Sequence, residues 1–183
     1  MQDRVRSAGR WGFIGVILQL VGLLLGGLAA LAGYVVELVA LKRLAEAFNN
    51  RAIWSNALKT VILVATAALA LLIVTPVVFS GVPVMLGPSL KNSSPLLLLL
   101  GWAVAVYILL YVFVLLVGRY FRNIYTELAK SSGVSEFREA AKWTWLGALL
   151  TIVLIGVVLS WVGKVYALLG YDSLRKWKPQ QLT

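Results

Sequence analysis

The sequence has no cysteine and no histidine, and only seven of its 183 residues are acidic. Without cysteine the chain forms no disulfide and no thiolate metal site. Without histidine it lacks the commonest general base and the commonest haem ligand. Its glycines lie within apolar stretches and form no phosphate-binding loop between a strand and a helix. We therefore expect no enzymatic activity, no catalytic residue, no cofactor and no metal site.

What the sequence has in abundance is apolar side chains, since 61% of residues are hydrophobic and 13% are charged. Four stretches carry no charged side chain: 11–36, 60–90, 92–118 and 143–163. Each is longer than the about 18 residues that mark a membrane-crossing helix. The apolar residues are continuous and do not alternate with polar ones, as they do in strands of an outer-membrane barrel. The sequence predicts an all-α, polytopic helical membrane protein with one integral membrane domain over 1–183.

The basic residues lie in the polar segments that flank these stretches, and they indicate the orientation. Segments 42–59 and 119–142 carry four and five basic residues, whereas Lys91 is the only charge between them. The positive-inside rule therefore places both segments in the cytoplasm and the loop at Lys91 outside. Such flanking cations meet anionic lipid head groups. The net charge of +10 thus predicts the lipid bilayer as a partner and no nucleic acid.

Each cytoplasmic segment is predicted to be a helix-turn-helix elbow. The first turns back at Asn49-Asn50. The second turns at the serine-glycine run 131–133, after which Ser135 and Glu136 are expected to cap the next helix. We interpret both as solvated connectors; a docking surface for a partner is the alternative.

Basic residues at both ends decide between two topologies. If each stretch crossed once, both termini would lie outside, against the positive-inside rule; if the first and last stretches are hairpins, both termini are cytoplasmic. The second topology predicts a multi-pass protein of the cell membrane, with turns at Gly26-Gly27 and at 160–163. Its six arms are 11–26, 28–44, 59–81, 95–118, 143–159 and 161–174.

Four long helices remain the alternative to six arms. Gly22, Gly26 and Ala30 form a small-residue stripe that suits a continuous helix packed closely on a neighbour. The two end stretches nevertheless resemble each other: setting Gly15 against Gly147 also aligns Gln19 with Thr151. This internal similarity favours one shared shape at both ends.

Three polar residues lie within or beside the apolar stretches and are the candidate functional residues: Gln19, Glu37 and Lys164. Because Glu37 lies close to Lys42 along the chain, we expect a partly hydrated carboxylate near the inner interface, or one paired with Lys164 across helices. A proton or cation pathway through Glu37 is the alternative. Gln19 is expected to form a hydrogen bond between helices.

Two short patterns resemble the signature regions of DUF996, a family of mostly archaeal integral membrane proteins of unknown function. The first is carried by Leu41 to Leu44, Asn49 to Arg51, Ile53-Trp54 and Asn56 to Leu58. The second is carried by Tyr125, Leu128-Ala129, Gly133-Val134, Phe137 and Gly147-Ala148. The family often has a proline in the turn of its first hairpin, where this chain has Gly26-Gly27. The resemblance implies a membrane protein but supplies no activity and no site residue.

Together these features predict a non-enzymatic membrane protein. It would be an accessory or scaffold subunit of a membrane complex, or a homo-oligomer, with other membrane subunits or itself as partner. A small transporter or channel for ions or small solutes is the alternative, since transporters often contain paired repeats. A polar cavity lined by Glu37, Gln19 and Thr151 would favour transport. Solid packing with these groups paired would favour the accessory role.

Overall fold

The computed structural model describes residues 1–24, 28–76, 95–153 and 155–178. Over these residues the chain is helical and contains no strand, so the predicted all-α class is confirmed. The helices are α1 (Gln2–Leu24), α2 (Leu28–Ala47), α3 (Arg51–Pro76), α4 (Pro95–Ser132), α5 (Glu136–Leu150) and α6 (Ile155–Arg175), with a 3-10 turn at Thr151–Val153.

Successive helices pair as hairpins, and the end hairpins also touch each other. Contacts join α1 to α2, α3 to α4 and α5 to α6, while α1 packs on α6 and α4 on α5. The first and last apolar stretches therefore each contain two helices, as the six-arm topology predicts. The alternative of four long helices is wrong.

Within the residues that the structure describes, three helices are long and apolar enough to cross a membrane: Arg51–Ile73 within α3, Leu100–Ser132 within α4, and α6. In α4 none of the most apolar window is buried inside the protein. The lateral surface of this helix is therefore suited to hydrocarbon, which supports the assignment as a membrane protein.

The structure tests one of the two turns that were predicted for the end hairpins. The turn at Gly26-Gly27 lies outside the described residues, between the end of α1 and the start of α2. The turn predicted at 160–163 is wrong, because these residues are inside α6 and the chain reverses between Leu150 and Ile155. The predicted arms 143–159 and 161–174 are thus replaced by helices α5 and α6.

The turn at 160–163 was predicted from its small residues, but in the structure these residues allow two helices to pack closely. A Cβ added at Gly163 would lie 2.8 Å from the backbone nitrogen of Thr144, so Gly163 lets α5 and α6 approach closely. At the actual reversal, two tyrosines of α4 donate hydrogen bonds to backbone carbonyls. Tyr111 reaches Leu149 O at 2.9 Å and Tyr107 reaches Ile152 O at 2.8 Å. These bonds satisfy polar groups that hydrocarbon would leave without partners.

Both predicted elbows are present, but one capping detail is wrong. Asn49 has φ 50° and Gly133 has φ 73°, the left-handed conformation that asparagine and glycine tolerate best. Asn50 Nδ2 ties the first elbow to α4, donating to Glu127 Oε2 at 3.1 Å. Ser135 makes no side-chain cap, because its hydroxyl donates instead to Glu136 Oε2 at 3.0 Å.

The two elbows meet residues 1–6 and 175–178 at one end of the bundle, which we call the elbow end (the turns at 47–51 and 132–136 with residues 1–6 and 175–178). Trp177 joins them. Its Nε1 donates to Ser132 O at 2.8 Å, its ring packs edge-on against Phe48, and its carbonyl accepts from Arg6 Nε at 3.2 Å. The fully buried side chains include residues from this half of the helices, among them Leu41, Ile53, Leu128, Phe137 and Leu174.

The two end hairpins cross at glycines in the same way. A Cβ at Gly15 would lie 2.7 Å from the backbone nitrogen of Glu37, and a Cβ at Gly147 would lie 2.7 Å from that of Ser160. Gly15 and Gly147 are the pair that the internal similarity aligned. In the small-residue stripe, Gly22 of α1 faces Ala30 of α2 across the hairpin, while Gly26 lies outside the described residues.

We predict that Gly33→Ala destabilises the first hairpin. The new Cβ would lie 2.5 Å from Gly15 O, so the two backbones must separate, at a cost of about 2 kcal/mol. Gly101→Ala is the matched control, because no atom lies within 4 Å of its added Cβ and helix propensity favours alanine by about 1 kcal/mol. The melting temperatures of Gly33→Ala and Gly101→Ala are measured by thermal unfolding in detergent. Equal melting temperatures would contradict the close crossing.

The topology predicts that the chain ends and both elbows label from one side of the membrane. Single cysteines at the exposed positions Ser7, Ala52, Ser135 and Lys176 are introduced into the cysteine-free chain and treated with a membrane-impermeant thiol reagent. All four are expected to react from the same side, and a cysteine at Lys91 from the opposite side. Labelling of Ser7 and Ala52 from different sides would contradict the hairpin.

Candidate functional site: a buried polar cluster around Glu37

The structure brings together the three polar residues that the sequence singled out. Glu37 on α2 accepts a hydrogen bond from Gln19 Nε2 of α1 at 2.7 Å. The same carboxylate oxygen, Oε2, lies 3.0 Å from Lys164 Nζ of α6. The expected pairing with Lys164 and the expected interhelical bond of Gln19 therefore form one cluster.

Two buried tyrosines complete the cluster, and sequence reasoning did not find them in this role. Tyr125 of α4 and Tyr171 of α6 donate to Glu37 Oε1 at 3.1 and 3.3 Å. A carboxylate offers about four lone-pair sites, so these four donors fill its capacity as an acceptor. We call Gln19, Glu37, Tyr125, Lys164 and Tyr171 the Glu37 cluster.

The cluster draws its members from four helices because each helix presents the right face. Gln19 reaches Glu37 across the crossing where Gly15 meets the Glu37 backbone. Lys164 and Tyr171 are seven residues apart on α6, which is about two turns and places them on one face. This spacing was the signal available for Tyr171. Tyr125 was visible only as a member of the family pattern.

The burial of Glu37 corrects the prediction of a partly hydrated carboxylate. Its side chain is 1% exposed, and that of Lys164 is 22% exposed. The short sequence separation between Glu37 and Lys42 predicted the position of Glu37 along the axis of α2. It did not give the direction of its side chain, which points between α1, α4 and α6. The expectation of partial hydration is therefore wrong.

The electrostatics of the cluster follow from that burial. A buried carboxylate requires an opposite charge and hydrogen-bond donors, because transfer from water to an apolar interior costs several kcal/mol per ion. Lys164 supplies the charge, and its ammonium also lies 4.6 Å from the centre of the Phe121 ring. The negative charge of the carboxylate and the positive charge of the ammonium cancel, so the cluster is polar but has no net charge.

Among the described residues, the partners of the Glu37 carboxylate are an amide, an ammonium and two phenols. In the described residues no group of three or more acidic side chains is placed to hold a metal ion. Thr151 stays apart from the cluster, since its hydroxyl donates to Gly147 O within its own hairpin at 2.7 Å. The chemistry available to the cluster is therefore the pairing of opposite charges between helices.

The fold and cluster define an all-α membrane protein whose end hairpins are joined by a buried ion pair. The chain belongs to the family described as "Protein of unknown function (DUF996)", whose family model matches residues 29–165. It is also 29% identical over 173 residues to an uncharacterized protein of Methanocaldococcus jannaschii, covering 93% of each chain. No solved structure matches it.

We predict that Lys164→Met lowers stability far more than removal of an exposed lysine does. The substitution leaves the Glu37 carboxylate buried without a counter-charge, at a cost of about 3 kcal/mol. The double variant Glu37→Gln/Lys164→Met should recover part of that loss, because neither charge remains. The free energy of unfolding in detergent micelles is measured for the wild type, Lys164→Met and the double variant.

The matched control is Lys142→Met, which removes a side chain 59% exposed and 3.9 Å from Glu139. An exposed pair of this kind contributes less than about 1 kcal/mol. If Lys164→Met were as mild as Lys142→Met, the Glu37 cluster would not have the energetic role assigned to it.

Proposed function

We propose that this protein is a non-enzymatic integral membrane protein that acts as an accessory or scaffold subunit. Its assembly would contain other membrane proteins or further copies of itself. The observation that carries the proposal is the filled acceptor capacity of Glu37. The most polar side chains inside the bundle bind one another and leave the carboxylate no free site for a substrate.

The lateral surface supports the same function. Large apolar side chains of α3 and α4 are widely exposed: Ile62, Leu69, Leu72, Ile73, Val104 and Ile108. Such faces suit contact with lipid chains and with the helices of neighbouring membrane proteins. The elbow end, which we assign to the cytoplasm from its basic residues, offers a second, polar surface to the assembly.

The transporter or channel remains the second candidate, and one observation favours it. The pair of Glu37 and Lys164 joins the two similar end hairpins, and many transporters place their substrate and ion sites at the interface between two repeats. Transport would require the pair to separate and the carboxylate to exchange its donors for a solute or proton.

The test is purification from native membranes in mild detergent, followed by identification of co-migrating proteins and measurement of mass. We expect the chain to migrate in a larger assembly, with other membrane proteins or with copies of itself. A monomer that arrives alone, under conditions that preserve known membrane complexes, would contradict the proposal.

A reconstituted sample separates the two candidates. Proteoliposomes of the wild type and of Glu37→Gln are compared for proton and cation flux, with circular dichroism as the folding control. The accessory role predicts no flux that depends on Glu37. A flux that disappears in folded Glu37→Gln would establish the transporter instead.

A further inference from the structure

A groove of about 530 Å³ lies between α2 and α3 beside the first elbow. It is open because these two helices touch much less than the helices within each hairpin do. Three basic side chains line it, Lys42 from α2 and Arg51 and Lys59 from α3. Lys42 holds its ammonium 5.9 Å from the centre of the Trp54 ring, which also lines the groove.

The groove carries an excess of positive charge. Of the described residues that line it, one is acidic, Glu46, and three are basic. In the described part of the chain no salt bridge uses any of these four side chains. The three basic side chains are exposed, so an anion can bind them without breaking an existing ion pair.

The lining of α3 is charged at the elbow and mixed further along, where Lys59 lies between Leu58 and Ile62. Arg51 begins the helix at the elbow, and Ile62 lies eleven residues further, about 16 Å along the axis. Leu58 and Ile62 line this deeper part and are 40% and 64% exposed. From Thr60 to Pro76 the helix carries no charged side chain and belongs to a candidate membrane span, so the groove opens toward a surface suited to lipid chains.

We propose that this groove binds one anionic phospholipid. Its phosphate is held by Lys42, Arg51 and Lys59, and one acyl chain lies along Leu58 and Ile62. A basic cluster beside a membrane span attracts anionic head groups, and each lysine or arginine adds to the attraction. The apolar continuation of the groove selects a lipid over free phosphate, which would occupy only the basic part.

The test uses the purified, delipidated full chain in detergent and counts bound lipids by native mass spectrometry. Phosphatidylglycerol is compared with phosphatidylcholine carrying the same acyl chains. We expect one phosphatidylglycerol to bind about tenfold more tightly than phosphatidylcholine. Millimolar inorganic phosphate should not displace it.

Variants locate the site. The triple variant Lys42→Gln/Arg51→Gln/Lys59→Gln should weaken phosphatidylglycerol binding by about tenfold or more and leave phosphatidylcholine unchanged. The matched control changes three exposed arginines outside the groove, Arg4→Gln/Arg119→Gln/Arg138→Gln, and should alter binding less than about twofold. Glu46→Gln should tighten binding, and this gain does not depend on the folding of the triple variant.

Three results would overturn the proposal. Equal binding of the two lipids would mean that the charges contribute nothing. An equal loss in both triple variants would assign the binding to the overall positive charge. Displacement by inorganic phosphate would mean that the groove recognises the phosphate alone.

Discussion

The burial of one carboxylate, that of Glu37, constrains the rest of the bundle. A charge in an apolar interior is stable only when an opposite charge and hydrogen-bond donors surround it. α2 does not supply these groups itself, so they come from α1, α4 and α6 as Gln19, Tyr125, Lys164 and Tyr171. The two end hairpins and one central helix must therefore meet at the level of Glu37. The core of the elbow end is built around that meeting point.

This arrangement divides the molecule into two regions with different physical roles. Near the elbow end, aromatic and aliphatic side chains are fully buried and Trp177 links both elbows to the N-terminal helix. Further along α3 and α4, the apolar side chains face outward. The paired charge inside the bundle and the exposed apolar flanks are the two features on which the proposed place in a membrane assembly rests. The basic groove at the boundary between the regions is suited to a lipid head group.

The sequence predicted the hairpins because charge placement is a global constraint: only hairpins put the basic ends on the same side as the elbows. It misplaced the last turn at 160–163 because Gly163 permits close helix packing, and composition alone does not separate that use of glycine from a turn. Pairing with Lys164 was one of two expectations for Glu37, but its hydration was predicted wrongly, since helix position does not fix the direction of a side chain. Tyr125 and Tyr171 were missed because tyrosine is common in apolar helices, and only the tertiary contacts show which phenols reach a carboxylate.

The distance between Glu37 and Lys164, measured in a bilayer, is the most direct test of the claim that this ion pair joins the two end hairpins. Solid-state NMR of protein labelled with ¹⁵N at lysine Nζ and ¹³C at glutamate Cδ measures their dipolar coupling. Comparison with Lys164→Arg, which keeps the charge but has no Nζ, isolates this pair. The account predicts a coupling that corresponds to less than about 4 Å and is lost in Lys164→Arg. If the glutamate ¹³C signal were dephased by lysine ¹⁵N to the same extent in the wild type and in Lys164→Arg, the contact between Glu37 and Lys164 would be contradicted.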